Sequence, residues 1–320
     1  MPDTLSRNGA WTTSPCRESL LKAASELDHR LLRHQEERPD TLFHYTNTAG
    51  LIGMLSSNRL WATHAGFVND SRELLHAAAI VESALDEKIQ EASDEIVKEM
   101  CIRSKRMLRP FGGLRDTFIV CFCEASDLLS QWRAYGKSGD GFAMGFATLD
   151  LISKDPDKRV FLLRKVIYDV AVQKALASSA ISAASDSLLA HAKGMSSETA
   201  SSTIAYHCAF LDDYVAEYLF TFKDPAFSEE REWRAVCVLL TPLPQRLPVR
   251  FREGPGYPIP YLALDLTANA GIDTGRLPIG NIVVGPRVNM ELALASLDWI
   301  KRGFGYRFAE VNSSLVPLRG

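Results

Sequence analysis

Residues Thr117 to Cys123 read TFIVCFC, seven residues of β-branched, aromatic and sulfur-bearing side chains with no charge. A run this short and apolar at both alternating positions suits a strand covered on both faces, hence a central one. Upstream, Pro110 to Gly113 ends a helical pattern that runs from about Ser71 to Met107. Downstream, Leu128 to Tyr135 reads as a short helix, Gly136 to Gly141 as a turn and Phe142 to Ala147 as a second strand. Further strands are expected at Thr41–Tyr45, Leu60–Thr63, Val160–Tyr168, Glu232–Leu240, Pro258–Leu266, Gly280–Val284 and Phe308–Ser313. Helical spacing marks Cys16–Glu37, Thr48–Ser57, Met290–Gly303 and the Ala/Ser-rich stretch Ala171–Phe222, which holds two or three helices. Strict βαβα alternation is absent. The expected fold is therefore α+β, with mixed or antiparallel sheets and helical insertions at about 71–109 and 171–222. Strands spread over the whole length imply one domain, 40–320, preceded by a tail and helix over 1–39.

The composition bounds the function. With 46% hydrophobic and 23% charged residues the 320-residue chain is globular, and a net charge of −3 argues against bulk electrostatic binding to nucleic acid or anionic membrane. No apolar run is long enough to span a bilayer, and the N-terminus lacks the basic start and apolar stretch of a secretory signal. The six cysteines are too few for a disulfide scaffold, and no Cys/His set has structural-zinc spacing, so no metal is expected. A reducing cytoplasm is the expected home. Cys121 and Cys123, two apart on a strand, share a face and read as buried side chains.

Several catalytic motifs are excluded. Gly136-Lys137-Ser138 ends like a phosphate loop, but the pattern needs glycine where Gln131 stands. There is no G-x-S-x-G, no H-E-x-x-H and no G-x-G-x-x-G after a strand. In the helical stretch after Asp70, a capping residue with Glu73 three positions on, the acids Glu82, Asp86, Glu87 and Glu91 precede the bases Arg103, Lys105 and Arg106. That order complements the helix dipole, and it leaves Arg103–Arg115 as an alternative anion-facing patch.

Four polar-aromatic clusters remain: His44-Tyr45-Thr46 at a strand end, Trp132-Arg133-x-Tyr135-Gly136 before a turn, Glu229 to Arg234 opening a strand, and Gly285-Pro286-Arg287 after one. On the strand opened by Glu232, one face carries Trp233, Ala235, Cys237 and Leu239. The other carries Glu232, Arg234, Val236 and Val238. A charged pair there must be mutually satisfied or must face a cleft. His44, between two aromatics, reads either as a structural histidine or as a donor to a ligand hydroxyl. Trp132 and Tyr135 share a helical side and read either as core or as a stacking platform. Arg133 and Arg287 read as phosphate forks or as partners of acidic residues.

These blocks, LFHYT, NRLWAT, FVNDSRE, FCEASDLLSQWRAYGKSGDGFAMGF, FSEEREWRA and NIVVGPR in that order, resemble the bacterial domain-of-unknown-function family 2971 from about Leu42 to Arg319. More remotely, a strand ending in H-Y-T, a short helix, a short second strand and a glutamate opening a late strand resemble the ADP-ribosyltransferase superfamily. That resemblance implies a two-sheet cleft and NAD as substrate. It implies His44 on a ribose hydroxyl, Thr46 at the adenosine side and Tyr135 or Trp61 stacking on nicotinamide, with Tyr45, Trp132 and Arg234 also among the cofactor-binding residues. Glu232, with Arg234 beside it, would be the catalytic carboxylate, stabilising the oxocarbenium-like transition state as nicotinamide leaves. The acceptor, nucleic acid or protein, stays open. Two other readings use the same residues: a non-catalytic nucleotide- or partner-binding module, and a metal-dependent nuclease or phosphoesterase built on Glu73, Glu230 and Glu232.

Overall fold

A computed structural model describes residues 10–34, 37–68, 71–108, 117–135, 140–152, 161–192, 196–238, 249–254, 256–266 and 275–317. The expected central strand is β3 (Thr117–Cys123), and it organises a ten-stranded sheet. β6 (Glu232–Val238) runs antiparallel along its whole length, from Thr117 opposite Val238 to Cys123 opposite Glu232. β5 (Leu162–Lys165) pairs outside β6. A strand has two edges, so every other neighbour of β3 must use the remaining one. Two strands do. β2 (Leu60–His64) pairs with Phe118 and Ile119, while β1 (Thr41–Thr46) meets β3 only through Phe43 opposite Cys123. The sheet forks there. One arm continues through β2 to β8 (Ile259–Leu264) and β7 (Val249–Arg252). The other continues through β1 to β4 (Phe142–Ala147), β9 (Ile279–Val284) and β10 (Glu310–Ser313), and only the last pair is parallel.

The helices divide between the faces. α1 (Arg17–Arg33), α3 (Ser71–Glu91), α4 (Glu95–Met107), α7 (Val170–Ala192) and α8 (Ser197–Thr221) bury Leu20, Leu27, Val81, Met100, Leu188 and Phe210 in one bundle that rests on Ile119 and Val236. α2 (Thr48–Ser57) and α9 (Met290–Phe304) cover the opposite face with Leu51, Leu55 and Leu297 against Phe118, Phe122 and Trp233. α5 (Leu129–Tyr135) caps β1 and β4 through Trp132, against Phe43, Tyr45 and Ala143. α6 (Thr148–Leu151) is a single turn after β4. The alternation expected for Glu232–Val238 holds where side chains are described, since Trp233, Ala235 and Cys237 enter the second core and Val236 the first.

The fold is α+β with a mixed, open sheet, and it departs from the sequence reading in two places. The long pattern from Ser71 is two helices, because Asp94 takes an extended conformation before α4. β7, VRFR, is a strand that the sequence reading lacks: four residues of alternation are too few to mark it. The Ala/Ser-rich stretch is helical as expected and divides into two, with Ser196 capping the second through Thr199 N. The Asp70 cap, the Gly136–Ser138 turn and most of the Arg103–Arg115 patch lie outside the described residues. Among the described residues no helix is long and apolar enough to cross a membrane, and none of the six cysteines is in a disulfide.

Sheet and bundle meet over charge as well as carbon. Arg164 of β5 donates from Nε to Glu217 of α8 at 2.5 Å, with side chains only 4% and 3% exposed. Removing one partner strands the other charge in a medium that cannot solvate it. Glu217→Ala is expected to lower unfolding free energy by about 3–5 kcal/mol, read by urea denaturation with the m-value unchanged.

Candidate functional site

At the fork, the edge of β3 between Ile119 and Cys123 has no strand along it. The His44 ring fills that interval, with Nδ1 2.9 Å from the Cys121 carbonyl oxygen. A carbonyl can only accept, so Nδ1 carries the hydrogen. Burial lowers the His44 pKa, the Cys121 carbonyl opposes this, and the charge of Arg252 lowers it further, so the ring is neutral and Nε2 carries a lone pair. Among the described residues nothing bonds to Nε2.

Arg252 comes from β7. Its Nη2 donates to Thr63 Oγ1 at 2.8 Å, while its Nε is buried with no acceptor. Among the described residues no carboxylate pairs with it, and burial lowers its pKa. Trp61, two residues before Thr63 on β2, packs against Tyr261 with ring centroids 4.7 Å apart, and its Nε1 is also buried without an acceptor. α2 makes room for the indole through Gly53, where a Cβ would fall 2.1 Å from the Trp61 ring. Leaving two donors buried without partners costs roughly 1–3 kcal/mol each. Thr46 lies on the His44 side of β1, and its Oγ1 occupies the place a Cβ on Gly50 would take.

Glu232 stands on the bundle side of the sheet. Arg234 grips it with two bonds, Nε to Oε1 at 2.7 Å and Nη2 to Oε2 at 2.9 Å, and Lys223 Nζ adds 2.9 Å to Oε2. Lys223 also holds Glu230 at 2.6 Å. Arg231, at φ 40°, turns the chain so that both glutamates reach the same ammonium. Burial would raise the Glu232 pKa, but the charges of Arg234 and Lys223, with hydrogen bonds from Arg234 and the Cys121 thiol, bring it down to about 2. The Tyr168 hydroxyl accepts from Glu232 N at 3.1 Å. Tyr135 belongs to the same cluster: burial, then the charges of Cys121, Glu232 and Glu230, raise its pKa, with Lys223 opposing.

His44 and Glu232 thus do not line one face. Phe43 opposes Cys123 and Cys123 opposes Glu232, so alternation puts His44 on the other side, against Phe122. They approach Cys121 from two directions, one at its carbonyl and one at its thiol. Tyr135 sits with Glu232, whereas Trp61 and Thr63 share a side of β2, and Arg252, bonded to Thr63, acts electrostatically on His44. Tyr45 and Trp132 are core residues. The Tyr45 hydroxyl donates to Ala125 O and accepts from Leu128 N, and Trp132 Nε1 donates to Asp127 at 2.7 Å. With Trp132 0% exposed and Tyr45 5% exposed, neither offers a ring face to a ligand, which corrects the cofactor-binding roles expected for them. Arg234, with all its described bonds inside the protein, holds Glu232 and the Phe220 carbonyl instead of a ligand. Arg252 and Thr63 were missed. The weak signal for Arg252 was a short strand of alternating Arg at VRFR. A Cys16, His191 and His207 cluster, built from three helices, carried no spacing signal at all.

A family model described as a protein of unknown function (DUF2971) matches residues 131–235, which span α5 to β6 and include Tyr135, Lys223, Glu232 and Arg234. Neither the curated proteins nor the solved structures contain a significant match.

The Glu232 carboxylate binds its proton less tightly folded than at its ordinary value of 4.5. Its stabilising contribution is therefore complete above about pH 4.5 and is lost as pH falls towards about 2. The melting temperature of the wild type should fall more steeply than that of Glu232→Gln between about pH 5 and pH 2; parallel profiles would contradict the ionised assignment.

Proposed function

We propose that the chain binds a nucleotide of the NAD class at the fork between β1 and β2. The observation that carries this reading is the pair of buried, acceptor-free donors, Arg252 Nε and Trp61 Nε1, with Arg252 within electrostatic reach of neutral His44. A phosphate or carbonyl oxygen would satisfy the donors, and a ribose hydroxyl would donate to His44 Nε2. A half-buried guanidinium with no carboxylate partner attracts an anion. Trp61, half-buried and backed by Tyr261, supplies the aromatic contact for a flat ring. On this reading the two arms of the sheet correspond to the two sheets of an ADP-ribosyltransferase-like cleft, and the ligand sits where they part.

Cleavage of the nicotinamide–ribose bond is the second reading, and one feature favours it. Glu232 is a fixed anion in contact with Cys121, the residue His44 also holds, so a positive centre formed at the fork would have a buried carboxylate nearby. Both oxygens are already engaged by Arg234 and Lys223. Catalysis would therefore require the carboxylate to give up part of that pairing, whereas binding requires nothing to move.

Calorimetric titration with NAD and with ADP-ribose tests the binding. Arg252→Ala and His44→Ala should each weaken affinity about 10-fold or more, in line with losing one buried polar contact. No heat with either ligand in the wild type removes the reading. Free nicotinamide released by the wild type and abolished in Glu232→Gln would add catalysis, and none released would leave a binding module.

A further inference from the structure

We infer that Cys16, His191 and His207 form a transition-metal site, best suited to Zn²⁺, inside the helical bundle and remote from the fork. Cys16 stands at the N-cap of α1, where it makes no side-chain capping bond. His191 lies in the last turn of α7 and His207 in α8. Their ligand atoms all lie within 4.8 Å of one another. Zinc–sulfur and zinc–nitrogen bonds of about 2.3 and 2.0–2.1 Å in a tetrahedron set ligand separations of about 3.4–3.6 Å, so side chains need to close by little more than about 1 Å.

Both imidazoles are already oriented as metal ligands are. His191 Nδ1 lies 2.8 Å from Ser187 O and His207 Nδ1 lies 2.8 Å from Thr203 O. Each Nδ1 therefore donates to a carbonyl one helical turn earlier, which fixes the tautomer and leaves Nε2 as the lone pair. The two rings face one another with centroids 6.2 Å apart. No carboxylate belongs to the group. A soft thiolate with two imidazoles selects zinc over calcium or magnesium. Ser187 completes the surround. Its hydroxyl is 3.0 Å from His207 Nε2 and 2.8 Å from Ser19 Oγ, so it can fill the fourth position or hold a water there. On binding, the Cys16 thiol gives its proton to solvent and its sulfur takes the metal. The ion would join the start of α1 to the α7–α8 hairpin, three segments that meet nowhere in sequence.

The test uses the full chain, stripped with a chelator and titrated with Co²⁺ and then Zn²⁺. One equivalent of Co²⁺ should give a thiolate-to-cobalt charge-transfer band and the intense visible bands of a tetrahedral site, both bleached by Zn²⁺. Zn²⁺ at about 100 times its dissociation constant should raise the melting temperature by about 5 °C. Cys16→Ala and His191→Gln should each weaken Zn²⁺ binding about 100-fold or more, since even supporting residues of metal sites matter 10–100-fold. His191 is only half-buried, so its variant keeps the test sound if the Cys16 change impairs folding. As a variant-free check, Zn²⁺ should slow alkylation of the peptide bearing Cys16. Absent cobalt bands, or affinity unchanged in His191→Gln, would overturn the assignment.

Discussion

β3 has one free edge and two strands that need it. β6 occupies the other edge from end to end, so β1 and β2 must share what is left, β2 at Phe118 and Ile119 and β1 at Cys123. The carbonyl of Cys121 falls in the gap, and an unpaired buried carbonyl is costly. His44 bonds to it. Much else in the molecule follows from that arrangement. The arms diverge, α2 bridges them as the crossover from β1 to β2, and a neutral imidazole is held where the backbone ladder is interrupted.

Two regions of the sheet are chemically different. Towards the bundle, Glu232, Arg234, Lys223 and Glu230 form a closed set in which each charge answers another, and Arg164 with Glu217 repeats the pattern one strand away. Such buried pairs contribute little net stability over apolar packing, but they hold geometry, because moving one member exposes the other to an apolar surround. At the fork the balance is open. Arg252 and Trp61 hold buried donors without acceptors, and His44 offers an acceptor without a donor. Polar groups left in that condition are where a ligand has most to add.

Much of the fold was legible in the sequence, because long-period signals decide it. TFIVCFC announces a central strand, Leu51 with Met54 and Leu55 a one-sided helix, and Glu232 to Val238 a strand with two unlike faces. The site was legible only by residue type. His44 and Trp61 do lie at the fork, yet Tyr45 and Trp132, equally aromatic and as near in sequence, are walled into the core under α5. Residue type does not distinguish these cases; His44 and Tyr45 share β1, and the distinction is made by which face each takes and what covers it. Arg252 escaped notice because β7 is only four residues long, too short for its V-R-F-R alternation to mark a strand. Cys16, His191 and His207 meet only through tertiary packing, which no spacing rule records.

The indole protons report on the central claim most directly. Five tryptophans give five Nε1 signals. Those of Trp11, Trp132 and Trp233 are bonded to Asp213, Asp127 and Glu124, and that of Trp61 has no acceptor. In an ¹⁵N-indole spectrum assigned with Trp61→Phe, titration with NAD should shift the Trp61 signal as it gains an acceptor and leave Trp132 in place. A spectrum in which Trp61 stays fixed through saturation with NAD would contradict the account, because the ligand would then leave the indole at the fork without an acceptor.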